Sequence, residues 1–90
     1  MSNHIDAMMT MVVYAIKTLN ESSGHRYSVL RGIVKGDNYY RVHMGSLSSH
    51  FCEEEAAELT GRSVQIDDIN YMITFKEGWF LLNRLRDGEQ

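Results

Sequence analysis

The stretch that decides the fold is INYMITFKEGWFLLNRL, which runs from Ile69 to Leu85. Lys76-Glu77-Gly78 is short and polar and ends in glycine, which is typical of a tight hairpin loop. The residues before this loop alternate as in a strand with one apolar face. That face carries Ile69, Tyr71, Ile73 and Phe75. The stretch therefore predicts a β-hairpin that supplies much of the core.

The return strand of this hairpin is apolar on both faces. One face carries Trp79, Leu81 and Leu85, and the other carries Phe80, Leu82 and Arg84. A domain of two layers buries only one face of its sheet. We therefore expect the second face to be covered by a helix or by another chain.

Residues 3–20 fit two alternatives. Apolar residues recur with helical spacing, which predicts an amphipathic helix. The β-branched residues in this stretch, among them Val12 and Val13, instead favour a strand that pairs with residues 26–34. We favour the helix, because the periodicity extends along the whole stretch. Its apolar positions are Ile5, Met8, Met9, Val12, Val13, Ile16 and Leu19.

A second hairpin is predicted between residues 26 and 44. Arg26 to Val34 alternates as a strand, and Lys35-Gly36-Asp37-Asn38 is a turn signal. The strand from Tyr39 to Met44 then places Tyr40, Val42 and Met44 on one face and Tyr39, Arg41 and His43 on the other.

A short central helix is predicted from about His50 to Thr60. Ser48 or Ser49 provides a cap, and three glutamates, Glu53 to Glu55, lie in the first turn, where the helix dipole favours them. Gly61 is the expected end of the helix. Its narrow apolar stripe consists of Phe51, Cys52, Ala56 and Leu59.

The fold class predicted from these elements is α+β in a single domain spanning residues 1–90. It has an N-terminal helix (alternatively a strand), an antiparallel sheet built from two β-hairpins, and one short central helix. Residues 1–3 and 87–90 are expected to fray.

Composition excludes several classes of protein. The apolar fraction of 43% and the charged fraction of 23% are ordinary for a globular domain. The one cysteine, Cys52, allows no intramolecular disulfide, which favours a reducing compartment. The start lacks the basic segment of a signal peptide, and no apolar run approaches the roughly 20 residues of a membrane helix. We therefore predict a cytoplasmic protein that does not enter a membrane.

No set of residues in the sequence matches a catalytic, metal or cofactor motif. His50 and Cys52 lie only two residues apart, which does not match zinc-ligand spacing. The three glutamates beside Cys52 oppose a thiolate nucleophile, so we expect a half-buried thiol. Asp67 and Asp68 are expected to act in capping and solubility. We predict that the chain is not an enzyme, with a small enzyme that uses Cys52 or His50 as the second alternative, and that it binds neither a metal nor another cofactor.

Two binding roles remain. Aromatic and arginine side chains are typical of protein interfaces, so we predict a small regulator or inhibitor that binds another protein and forms a homodimer. Its predicted contact residues are Tyr39, Arg41, Trp79, Phe80 and Arg84. Size alone also suits regulators encoded by phages or other mobile elements.

The alternative role is a nucleic-acid-binding regulator that uses a basic and aromatic sheet face. Its candidate residues are Arg26, Arg31, Lys35, Tyr39, Arg41 and His43. The net charge of −3 gives no broad attraction to nucleic acid, so this role depends on a local basic patch.

Overall fold

A computed structural model of the chain describes residues 3–22, 27–28, 32–47 and 52–86. The predicted α+β class is confirmed within them. The helices are α1 (Asn3–Ser22) and α2 (Glu53–Ala57), and a 3-10 turn covers Met44–Ser46. The strands are β1 (Tyr27–Ser28), β2 (Ile33–Lys35), β3 (Tyr39–His43), β4 (Ser63–Ile66), β5 (Ile69–Lys76) and β6 (Trp79–Arg84). Neither described helix has the length and apolarity that crossing a membrane requires.

The six strands form one antiparallel sheet in the order β1-β2-β3-β6-β5-β4. The sheet consists of two meanders of three strands, which join where β3 pairs with β6. Both predicted hairpins are present, and each is extended by a further strand. β1 extends the hairpin formed by β2 and β3, and β4 extends the hairpin formed by β5 and β6.

Helix α1 covers one face of the sheet, so the helical alternative for residues 3–20 is the correct one. Its buried residues recur every three or four positions and form a single stripe. In a strand, the same residues would be divided between two faces. The stripe consists of Ile5, Met8, Val12, Ala15, Ile16 and Leu19.

The core side of the sheet carries the alternate residues of its strands. Each strand from β2 to β6 contributes at least one buried side chain, and Ala56 and Leu59 reach the same core from α2 and the turn after it. The buried sheet residues are Ile33, Tyr40, Val42, Ile66, Tyr71, Ile73, Phe80 and Leu82.

Two tight turns set the register of the second meander. Glu77 and Gly78 connect β5 to β6 with φ values of 53° and 86°. Asp67 and Asp68 connect β4 to β5 with φ values of 53° and 68°. Positive φ at both central residues gives a turn whose twist matches that of the adjoining strands. The predicted loop at residues 76–78 is thus confirmed, although Lys76 still pairs within β5. The aspartates have a turn role that the sequence analysis missed.

The prediction of one continuous strand from Arg26 to Val34 is wrong. β1 and β2 are separate strands that pair with each other, with Ser28 opposite Ile33. Gly32 has a φ of +59°, a conformation that glycine adopts without strain, and a Cβ there would collide with the Ser46 side chain. Positions 29–31 lie outside the described residues.

The central helix is shorter than predicted. α2 begins at Glu53 after Cys52, and the Cys52 N–H donates a hydrogen bond to Glu55 Oε1 at 3.1 Å. The N-cap is therefore Cys52 and not the predicted Ser48 or Ser49, which lie outside the described residues. A glutamate of the first turn satisfies the backbone at Cys52. Residues 58–61 continue as turns, and Gly61 ends them with a φ of +94°. Cys52 is exposed and not half-buried.

The alternation along β6 can be tested by a matched pair of substitutions. Phe80 is 0% exposed, and its ring centroid lies 5.0 Å from that of Phe75. Phe80→Ala should lower the free energy of unfolding by about 3–5 kcal/mol, because it leaves a cavity in the core. Leu81→Ala, on the opposite face of the same strand, should cost less than about 1.5 kcal/mol. Urea denaturation measures both variants, and Phe80→Leu provides an intermediate if Phe80→Ala is unfolded. Equal losses for Phe80→Ala and Leu81→Ala would contradict the assignment of faces.

Candidate functional site

The sheet face opposite the core is the candidate site, and we call it the outer face. Both helices contribute to the core on the other side, and no described segment covers the outer face. Its side chains belong to the three neighbouring strands β3, β6 and β5. The residues that define it are Tyr39, Arg41, His43, Trp79, Leu81, Asn83, Thr74 and Lys76.

Strand register arranges these side chains in rows across the sheet. One row runs from His43 on β3 through Trp79 on β6 to Lys76 on β5. The next row runs from Arg41 through Leu81 to Thr74. Directly opposed residues in an antiparallel sheet have their Cβ atoms about 5 Å apart, so each row is a set of contacting side chains.

Trp79 is the aromatic centre of the outer face. The Arg41 guanidinium lies over the indole, with Cζ 4.5 Å from the ring centroid. The His43 ring makes a T-shaped contact, with centroids 4.9 Å apart and planes at 79°. A guanidinium stacked on tryptophan keeps its outward N–H groups available while its position is restrained.

A backbone hydrogen bond fixes the orientation of the His43 ring. Its Nδ1 accepts a hydrogen bond of 3.0 Å from the Gly45 N–H. In the neutral imidazole the proton is therefore on Nε2. Gly45 lies in the turn that follows β3, so this hydrogen bond restrains the His43 ring that contacts Trp79.

A shallow depression of about 450 Å³ lies on the outer face. Its walls combine an aromatic and aliphatic floor with the charged groups Arg41, Lys76 and Glu77. Tyr39 is 39% exposed at one end. Among the described residues, two cations against one carboxylate make the depression locally cationic on a chain whose net charge is −3. This chemistry suits recognition of an anionic group next to an apolar one.

Three of the five predicted protein-contact residues, Tyr39, Arg41 and Trp79, meet on the outer face. The prediction for Phe80 requires correction, because its side chain is fully buried in the core. Arg84 is exposed, but it lies on the same face of β6 as the buried Phe80 and opposite Tyr71. It therefore lies apart from the outer face.

The predicted nucleic-acid set is divided in a similar way. Tyr39, Arg41 and His43 lie together on the outer face. Lys35 does not join them, because its Nζ donates a hydrogen bond of 2.9 Å to Asn20 Oδ1 on the helix side. Arg26 and Arg31 lie outside the described residues.

Lys76 and Leu81 are outer-face residues that the sequence analysis did not select. Alternation along β6 already places Leu81 with Trp79, so a signal for it was present. Lys76 was interpreted as part of the loop, and only its pairing opposite Trp79 places it on the face.

Histidine, cysteine and acidic residues form no group of three that could hold a metal within the described part of the chain. Cys52 is exposed beside the first turn of α2, and His50 lies outside the described residues. The prediction that the chain binds no metal stays a prediction.

A cluster of polar side chains on the core side connects the C-terminal end of α1 to the sheet by hydrogen bonds. Asn20 Nδ2 donates to the Tyr40 hydroxyl at 3.0 Å and to Asp67 Oδ2 at 3.2 Å. Asn20 Oδ1 accepts from Lys35, as described above. One amide therefore connects the helix to β2, to β3 and to the turn before β5.

Tyr71 borders this cluster. Its ring makes an edge contact with the Tyr40 ring, with centroids 5.3 Å apart. Burial, followed by the proximity and hydrogen bonding of Tyr40, raises the pKa of Tyr71 to about 12 from its ordinary value of 10.0. Both tyrosines are largely removed from solvent, so the cluster is structural.

The raised pKa of Tyr71 predicts loss of stability at alkaline pH. The unfolded chain releases the Tyr71 proton at a lower pH than the folded chain, so unfolding is favoured as the pH rises from 10.0 to about 12. Tyr71→Phe should make this fall in melting temperature shallower. Tyr14→Phe, which removes an exposed phenol from α1, is the matched control and should leave the fall unchanged. An identical alkaline profile for wild type and Tyr71→Phe would contradict the assignment.

Comparison of the chain with protein-family models, with curated protein sequences and with solved structures found no significant match. The geometry of the outer face is therefore the basis for a functional proposal.

Proposed function

We propose that the chain is a non-catalytic regulator or inhibitor that binds another protein through the outer face. The observation that carries this proposal is the Arg41 guanidinium stacked on Trp79 in the middle of a sheet face that no described segment covers. Tryptophan, tyrosine and arginine are the residues most enriched at the energetic centres of protein interfaces.

Restraint of the side chains supports this role. Arg41 lies on Trp79, and Trp79 is held in turn by His43. Side chains that are already ordered lose less conformational entropy on binding, so more of their contact energy contributes to affinity. The planar guanidinium also matches a carboxylate in a two-point hydrogen bond.

Local charge defines the chemistry of the partner. Arg41 and Lys76 lie on either side of the Trp79 and Leu81 floor, and Glu77 is the one carboxylate that the described residues place at its rim. A segment that presents aspartate or glutamate next to an aliphatic or aromatic side chain would complement both features. We therefore propose an acidic, partly apolar protein segment as the ligand.

The cellular compartment of the chain is also part of this proposal. A chain with a single cysteine and no possible internal disulfide suits a reducing environment. We propose that the regulator acts in the cytoplasm.

Single-stranded nucleic acid is the second candidate ligand, because Tyr39, Arg41 and His43 combine ring surface with positive charge on one face. Two observations favour a protein instead. Arg41 already occupies the Trp79 ring, which reduces the surface left for stacking a base. Lys35 is bonded to Asn20 on the other side of the sheet.

Peptide selection tests the proposal, with Trp79 as an internal reporter since it is the one tryptophan of the chain. A library of displayed random peptides is selected on the wild-type protein alone, and the enriched peptides are then titrated into wild type and Arg41→Glu. We expect the enriched peptides to carry Asp or Glu beside an apolar residue and to shift Trp79 fluorescence on binding. Arg41→Glu should weaken their binding by about 30-fold or more.

Arg86→Glu is the matched control, because it makes the same change in charge at an exposed arginine that lies beyond the end of β6 and does not line the depression. It should alter affinity by no more than about twofold. Peptides that bind wild type and Arg41→Glu equally would overturn the proposal. An oligonucleotide of about 20 nucleotides, titrated at about 50 and 200 mM salt, tests the second candidate. Tight binding that falls steeply with salt would favour nucleic acid over protein.

A further inference from the structure

Strand β4 ends the sheet and has one edge that no described strand pairs with. The Arg62 carbonyl accepts a hydrogen bond from the Ile73 N–H at 2.8 Å. Because antiparallel strands alternate the direction of their backbone groups, Val64 and Ile66 bond toward β5. The N–H and C=O groups of Ser63 and Gln65 therefore point away from the sheet.

The β4 edge has few of the features that normally prevent strands from pairing with other chains. Such features are charged residues, proline, bulges or very short strands. The sequence Ser63-Val64-Gln65-Ile66 contains no charge and no proline, and it pairs with β5 residue by residue. The strand at the other end of the sheet, β1, has two residues within the part of the chain that the structure describes. Of the two described edges, β4 is therefore the longer.

An apolar groove of about 420 Å³ runs beside the β4 edge, between β4 and α1. Val64 forms its floor, and the helix side contributes Met9, Val13 and Tyr14. Tyr14 is 68% exposed, which is the greatest exposure among the large apolar side chains of the described residues. An incoming strand would therefore gain apolar contacts as well as backbone hydrogen bonds.

We propose that the β4 edge is a homodimer interface, in which β4 of a second copy pairs antiparallel with β4 of the first. Only outward-pointing residues can exchange hydrogen bonds across the joint. The register that uses both of them places Ser63 opposite Gln65 of the second copy, with a twofold axis at Val64. This arrangement forms four backbone hydrogen bonds and makes one continuous sheet of two copies.

Charge complementarity favours a second copy over an unrelated peptide. Arg62 precedes β4 and Asp68 follows it, and both are exposed. In the proposed register, Arg62 lies opposite Ile66 of the second copy and diagonal to its Asp68. A diagonal pair of this kind is within reach of a long side chain. Because of the twofold axis, this pair of Arg62 and Asp68 forms twice in the dimer. Asp67 is less suited to this role, because it already accepts a hydrogen bond from Asn20.

The proposed dimer does not depend on the proposed function. The β4 edge and the groove beside it share no residue with the outer face that defines the protein-binding site. A failure of one proposal therefore leaves the other intact, and the variants that test them are different.

Molar mass in solution tests the interface. The wild-type chain should have twice the monomer mass of 10.4 kDa by light scattering. Gln65→Pro removes an outward N–H and no bond to β5, so it should preserve the circular dichroism spectrum. It should raise the dimer dissociation constant about tenfold or more. Gln65→Thr, which keeps the N–H, is the matched control and should remain dimeric.

Disulfide trapping tests the register. In a Cys52→Ser background, Val64→Cys should form a cross-linked dimer on mild oxidation. The two Val64 positions face each other across the proposed axis, at a distance that a disulfide spans. Glu58→Cys, exposed in the turn after α2, is the control and should cross-link far less.

Three results would overturn the proposal. The first is a wild-type chain that stays monomeric at high concentration, which would leave the edge to a foreign strand or to none. The second is a dimer that Gln65→Pro does not weaken, which would place the interface elsewhere. The third is equal cross-linking of the Val64→Cys and Glu58→Cys variants.

Discussion

The antiparallel pairing of β3 with β6 joins the two halves of the chain into one sheet. Val42 lies opposite Phe80 and Tyr40 opposite Leu82, so the pairing places these core side chains against each other below α1. The same register places Arg41 and His43 next to Trp79 on the opposite face. A contact between strands so distant in sequence has a high cost in loop-closure entropy, which burial of these side chains must offset.

Coverage of the sheet on one side explains why a surface rich in aromatic groups exists at all. The one long helix among the described residues, α1, lies on the core side. β6 carries apolar side chains on both of its faces. Phe80 and Leu82 are therefore buried in the core, while Trp79 and Leu81 are half-buried on the outer face. Arg41 covers part of the indole and limits the exposed apolar area without closing the face.

Local signals in the sequence were sufficient for much of the fold. The helical period of α1, the alternation along β3 and β5, and the Glu77-Gly78 turn all act between near neighbours. Each was predicted correctly, although Lys76 was assigned to the turn and belongs to β5. Errors arose where distant segments decide the outcome. Residues 26–34 are divided between β1 and β2, and Gly32 has a positive φ with the Ser46 side chain where a Cβ would lie. No pattern within that segment reveals this contact. Selection of Phe80 and Arg84 with Trp79 ignored alternation along β6. The meeting of Arg41 with Trp79 required the β3–β6 register, which depends on the packing of both halves.

The two proposed surfaces have a geometric relation. Two strands that pair antiparallel at a sheet edge are related by a twofold axis perpendicular to the sheet, so equivalent faces of the two copies lie on the same side. A dimer joined at β4 would therefore present two outer faces in the same direction. A partner with two acidic segments, or a partner that is itself a dimer, could then engage both at once. The second contact would form at a high effective concentration and raise the overall affinity without any new residue. A small domain whose single outer face binds weakly would in this way become an effective regulator.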